Sequence, residues 1–399
     1  MQICIFIKWK SIKNNKIKKE VHHWIQENLI PGSIDVNIMT KLDKANFKGK
    51  EKLSNEFNDA HAALRGFANS NLESSIVLSA GMNPRLYSYF QEFEDFFPNE
   101  NGYLKKKIIL KVSDYRSAII QGKFLAKKGL WVSEYRIESG LNCGGHAFAS
   151  DGFLMGPILE EFKANKTNLQ NDVSKILLAA LESKGRIIPS QELNLNITVQ
   201  GGVGNSKEHE FLLNNYSVDS VGWGTPFLLV PEATTVDSST MEVLKEAKEE
   251  DLYLSNVSPL GVPFNSVRGS SNELIKNAKI SANKPGSPCP KKFLALSIDE
   301  NGKQICTASK KYQTQKINEL NIENNNDSEY DMRYKAITDK TCLCEGLANS
   351  SLINFDIKRK GEDQGVAICP GPNMAYYTKE VSLKNMIGHI YGQTNILEV

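Results

Sequence analysis

Residues 195–230, LNITVQGGVGNSKEHEFLLNNYSVDSVGWGTPFLLV, constrain this chain more than any other stretch. Leu195, Ile197 and Val199 alternate with polar residues and stop at Gly201-Gly202, as a strand does when it ends in a tight turn. Asn205 stands three residues before Glu208, the spacing of a helix N-cap and its capping-box partner, and Phe211 to Leu213 supply an apolar face. A second strand, Val218 to Trp223, runs into another glycine pair, Gly222 and Gly224. Glycine pairs let backbone N–H groups approach a ligand closely, and a helix start favours an anion. Two consecutive strand–helix units ending this way match the end of a (β/α)8 barrel, where the last two loops often hold a phosphate. The bland reading of the same glycines is turn chemistry alone.

Upstream the alternation continues. Strand patterns cover Ile34–Ile38, Ser75–Ser79, Lys107–Val112 and Leu130–Ile137, and helical spacing places Ala60 to Phe67, Ala118 to Leu125 and Val173 to Leu181 between or after them. Asp114 is a plausible N-cap and Gly129 a stop. Alternating strands and helices predict an α/β fold with a parallel sheet. A doubly wound sheet is the rival, and the glycine-ended final pair favours a TIM-type (β/α)8 barrel. Six good strands are legible where such a barrel has eight. The residues before Ser33 offer at most one more, Cys4–Ile7. The expectation is therefore an N-terminally incomplete barrel, or one completed by a second polypeptide or by homo-oligomerisation. Eight strands closing on each other before Pro231 would refute it.

After Pro231 the pattern changes. Ser239 and Glu242 begin a charged helix reaching about Glu250; residues 255–290 are rich in Ser, Asn, Gly and Pro and read as loop; residues 319–331 read as a polar linker. The expected division is a barrel over residues 1–254 and an irregular extension over 255–399. The extension carries five of the seven cysteines, Cys289, Cys306, Cys342, Cys344 and Cys369. Cys342 and Cys344 form a C-x-C pair, and Cys289 and Cys369 each precede a proline, as some iron–sulfur ligands do. Cys289, Cys342, Cys344 and Cys369 are thus a candidate iron–sulfur or zinc set. No C-x-x-C occurs, and scattered buried thiols are the alternative. An odd cysteine count in a long chain argues for a reducing compartment, hence the cytoplasm. A net charge of +2 and the lack of interleaved aromatic and basic residues give no nucleic-acid partner. No apolar run approaches the ~18 residues of a membrane helix.

Three segments resemble the FMN-dependent nitronate monooxygenase (2-nitropropane dioxygenase) family of TIM barrels, over about Ser33 to Pro231. ESGLNCGGHAF, from Glu138, is similar to that family's strand-end EAGGH loop with an insertion before Cys143; ITVQGGVG resembles its phosphate-binding glycine pair; VDSVGWGTPF resembles its last strand. The resemblance implies an FMN cofactor and a small-molecule nitronate- or carbonyl-type substrate. It implies that Gly201, Gly202, Gly222, Gly224 and Thr225 hold the phosphate, and that Asn37 and Lys111 approach the ring. His146 would lie over the flavin as the base or an orienting group, chemistry that suits a histidine near neutral pH. Trp223 and Pro226 depart from the family pattern. An FMN-dependent enoyl reductase is the alternative within the class, and a non-catalytic barrel binding a phosphorylated ligand is the alternative outside it. Glu138 reads as structural or as a support behind the site residues.

Overall fold

A computed structural model of the chain describes residues 12–28, 32–38, 43–78, 81–138, 155–288, 292–322, 327–357 and 359–397. Six strands form one sheet: β1 (Val36–Ile38), β2 (Ser74–Leu78), β3 (Lys106–Val112), β4 (Val132–Glu138), β5 (Asn196–Gln200) and β6 (Ser220–Gly222). Every pair is parallel, and the strands lie side by side in the order in which they occur in the chain. A doubly wound sheet would reverse its strand order at a switch point. The sequential order is that of a (β/α) barrel. Among the described residues no ladder joins β6 back to β1, so the strands form an open arc.

The burial pattern gives the same answer. Ile76, Leu78, Ile108, Leu110, Val112, Tyr135, Ile137, Ile197 and Val199 point to one face and form a single core with helices α2 (Asp59–Ala68), α3 (Pro84–Tyr89), α4 (Tyr115–Ala126) and α5 (Met155–Ser183), while α1 (Asn15–Asn28) precedes β1. Side chains alternate across a strand. The intervening residues Asn37, Lys111, Glu134, Arg136, Glu138, Thr198 and Gln200 therefore share the opposite face with the buried Val77 and Ile109. One face packed on helices and an opposite face that mixes apolar with paired charged residues fits a barrel better than a doubly wound sheet, which covers both faces with helices.

The Asp114 and Asn205 caps read from the sequence are made, but the reciprocal half of the expected capping box is not, since the Glu208 carboxylate accepts from the Gly204 N–H. Asp114 accepts from the Ser117 N–H at 2.6 Å at the start of α4, and Asn205 accepts from the Glu208 N–H at 3.0 Å at the start of α6 (Ser206–Tyr216). α5 begins well before Val173, because Ile158, Leu159, Phe162 and Leu169 extend the same buried stripe.

Beyond β6 two expectations need correction. Residues 255–290 are loop over about half of their described length, but they also hold a strand and a helix that were not expected: Phe264–Val267 pairs antiparallel with Leu252–Ser255, and a helix follows at Ser271–Ser281, capped by Ser270. Residues 319–331 are not simply a linker, since helices Lys310–Ile322 and Asp327–Thr338 take up most of them. Apolar residues in these segments are too sparse and irregularly spaced for a periodicity reading. The helix expected from Ser239 is present at Ser238–Glu246, with Asp237 as its cap. Two further helices, Leu343–Asn354 and Leu383–Ile390, complete the extension. The last of these packs beside α6. Cys4–Ile7 lies outside the described residues.

Candidate functional site

In barrels the chemistry sits at the C-terminal ends of the strands. Here those ends carry a charged network. Lys111, near the end of β3, pairs with Glu138 at the end of β4, Nζ to Oε1 at 2.9 Å. The other carboxylate oxygen of Glu138 accepts from the side-chain amide of Gln200 at the end of β5. Register explains the meeting: Lys111 lies opposite Arg136, and Glu138 opposite Gln200, so three neighbouring strands present these groups on one face. One turn lower, Glu134 Oε1 accepts from Arg136 Nε at 2.8 Å and from Thr198 Oγ1 at 2.6 Å. Glu138 is buried and Lys111 largely so, which strengthens their attraction relative to a solvated pair.

Immediately after Gln200 the chain turns through Gly201 at φ 105° and Gly202 at φ 75°. Side chains rarely adopt these angles, which is the physical reason for the pair. The turn borders a cavity of about 550 Å³, lined by Val199, Val203, Phe211 and Leu212 on the sheet-and-helix side and by Pro372, Asn373 and Tyr376 from the C-terminal segment. Two carboxylates, Glu208 and Glu249, also line it, and no lysine or arginine does among the described residues. Both carboxylates are engaged: Glu208 accepts from the Gly204 N–H at 2.7 Å, and Glu249 from the Tyr376 hydroxyl at 2.7 Å.

The second glycine turn is used differently. A Cβ on Gly222 would stand 2.9 Å from the Gln200 Cβ, so this glycine permits close approach of β5 and β6. Nothing lies within 4 Å of the corresponding point at Gly224, which faces open space. Thr225 Oγ1 accepts from the Gly371 N–H at 2.9 Å. Trp223 donates from Nε1 to His209 Nδ1 at 2.9 Å and stands edge-on to His389, ring centroids 5.8 Å apart. Burial lowers the pKa of His209, against a smaller pull upward from Glu210.

Of the residues expected from the sequence, Gly201 and Gly202 line the cavity, and Lys111 sits in the strand-end network. Asn37 lies on the same face of the sheet but at its far edge, on β1. Gly222, Gly224 and Thr225 flank the glycine turn of β5 without lining the cavity. His146 and Cys289 lie outside the described residues. Cys306, Cys344 and Cys369 pack on one small core with Phe264, Leu343 and Ala367, and Cys342 is buried. Among the described residues no group of three His, Cys, Asp or Glu side chains is placed to hold a metal ion. Sequence reasoning missed Gln200 and the whole contribution of residues 371–392. Glu138, expected to be structural or to support the site, links Lys111 to Gln200. A sharp turn at PGPN followed by Tyr376-Tyr377 was the local signal for the C-terminal part.

No protein-family model matches the chain, and no curated protein does. Among solved structures it is similar to FabK from Thermotoga maritima, at 13% identity and TM-score 0.45, over 96% of this chain and 82% of that one. The enoyl reductase domain of MlnA from Bacillus amyloliquefaciens gives 13% identity and TM-score 0.45, over 92% and 80%. Nitroalkane oxidase from Streptomyces ansochromogenes gives 9% identity and TM-score 0.40, over 96% and 87%. TM-scores below 0.5 at such identities carry no functional weight. No helix among the described residues is long and apolar enough to cross a membrane.

Proposed function

We propose that this chain is an FMN-dependent oxidoreductase resembling nitronate monooxygenases, acting on a small nitronate- or carbonyl-type substrate at the ends of its strands. The observation that carries the reading is the convergence of Lys111, Glu138, Gln200 and the Gly201-Gly202 turn on the ends of three adjacent parallel strands.

The residues present fit the group through neutral donors. The Gly201-Gly202 backbone borders a cavity, Gly224 faces open space, and a helix start follows the turn. Backbone N–H groups of a glycine turn before a helix can hold a phosphate without a cation; the Gly204 and Glu208 N–H groups are already donated to Glu208 and Asn205, so the Gly201-Gly202 backbone would do the holding. Glu208 at the same helix start opposes an anion, which argues for modest affinity. Lys111 and Gln200 would hydrogen-bond the polar edge of the ring, with Glu138 fixing both. When bound, FMN would supply the electron acceptor that no side chain can. His146 keeps the role of base or orienting group that the resemblance gives it.

Gly224→Ala tests the cradle. No neighbour obstructs a Cβ, but φ −125° with ψ −74° lies outside the main regions for alanine, so circular dichroism and the urea midpoint must match wild type before affinity is read. FMN affinity should fall by roughly tenfold, or about 1.4 kcal/mol. Unchanged affinity would remove the phosphate from this turn. Consumption of NAD(P)H by flavin-loaded protein would move the reading to the enoyl reductase.

A further inference from the structure

The resemblance ends at Pro231, yet residues 371–392 return to the glycine turn. The Gly204 carbonyl accepts two hydrogen bonds, from the Tyr377 hydroxyl and from His389 Nε2, each at 2.8 Å. The neighbouring Val203 carbonyl accepts from Asn373 Nδ2 at 3.2 Å. His389 is 2% exposed, and its Nδ1 accepts from the Ile396 N–H at 3.4 Å, which places the ring proton on Nε2, facing Gly204. Its imidazole lies edge-on between Trp223 and Tyr377, with centroid distances of 5.8 Å and 6.4 Å. Burial among these groups raises the pKa of the Tyr377 hydroxyl above its usual range and keeps it a donor. Gly392, at φ 68°, rests on Ser206, the first residue of α6.

A trans peptide unit is planar, and its N–H points opposite to its C=O. Holding the Val203 carbonyl toward Asn373 therefore turns the Gly204 N–H the other way, where Glu208 accepts it. Holding the Gly204 carbonyl toward Tyr377 and His389 fixes the next unit likewise. Glycine by itself leaves such a turn free to adopt several conformations.

We propose that the C-terminal segment is the second half of the strand-end site, and that Tyr377 and His389 are positioning residues that set the geometry of the Gly201–Gly204 turn for its ligand. The proposal rests on the flavin reading for the ligand and on the hydrogen bonds above for the positioning. Trp223, a departure from the family pattern, then has a role: it forms the wall against which His389 is held.

The test uses the full chain with His389→Ala, His389→Gln and Tyr377→Phe. Hydrogen exchange would be followed in peptides spanning residues 199–206, and FMN binding by quenching of its fluorescence. In His389→Ala, exchange across the turn should accelerate by about tenfold while peptides from β2 and β3 stay unchanged. FMN affinity should fall by about the same factor, in line with the loss of one buried hydrogen bond. His389→Gln keeps an amide donor and should stay within about threefold of wild type on both readouts. Tyr377→Phe removes a single hydroxyl, so it carries the test if His389→Ala fails to fold. Unchanged exchange at the turn in both His389→Ala and Tyr377→Phe would overturn the proposal. So would faster exchange with unchanged FMN affinity. Should wild type bind no FMN, the flavin reading falls and the exchange measurement alone decides whether the segment sets the turn.

Discussion

At the scale of single residues, the tightest fit in the helix-covered layer is Gly122 of α4 against Tyr135 of β4. A Cβ on Gly122 would stand 2.0 Å from the Tyr135 hydroxyl, which is buried and has no hydrogen-bond partner among the described residues. Alanine in place of glycine inside a helix usually gains about 0.8–1.0 kcal/mol. Here we predict a net loss of about 1–3 kcal/mol in urea unfolding, because the added methyl displaces a packed ring. Tyr135→Phe alone should be neutral or stabilising, since its hydroxyl contributes no bond. The double variant should recover most of the loss. Stabilisation by Gly122→Ala in the wild-type background would contradict the packing. The sequence carried no sign of this contact. Gly122 sits in a helical stretch and Tyr135 in a strand, and only the packing of α4 on β4 brings them together. Asp114 and Asn205 were legible because caps act within three residues.

Elements were legible in proportion to their periodicity. All six strands were marked by alternation or by short apolar runs, and the structure places each within a few residues of its expected span. The network of Lys111, Glu138 and Gln200 was not legible as a unit, because it exists only once the register of β3, β4 and β5 is set. In the extension, the small hairpin of Ser297–Ile298 and Gln304–Ile305 depends on a charge. Asp299 accepts from Lys311 Nζ at 2.7 Å and from the Lys303 and Asn301 N–H groups at 2.9 and 3.0 Å. The Lys311 ammonium first, and then the Lys303 amide, lower its pKa to about 2 from an ordinary 3.8. A depressed carboxylate pKa contributes stability above the unfolded-state value and loses it as pH falls through the folded one. The gap in urea midpoint between wild type and Asp299→Asn should therefore shrink between about pH 4 and pH 2. A gap independent of pH over that window would show that the carboxylate's charge contributes nothing.

At the scale of the molecule, the sheet is an arc of six strands with helices on one side and, on the other, paired charged residues alongside Val77 and Ile109. The inside of a closed barrel is typically filled by layers of bulky branched side chains. Lys111, Glu134, Arg136 and Glu138 form a different interior, one that requires paired charges and access to ligand or water. The parallel order and the glycine turn could be read from sequence, because each strand and turn announces itself locally. The return of the C-terminal segment could not, because nothing in Tyr377 or His389 specifies the carbonyl each would meet. Native mass spectrometry of the purified protein, with FMN added if none copurifies, decides whether the strand-end site holds the cofactor. One FMN per chain is expected, weakened or lost in Gly224→Ala. Protein that remains free of flavin at FMN concentrations well above those in cells would contradict it.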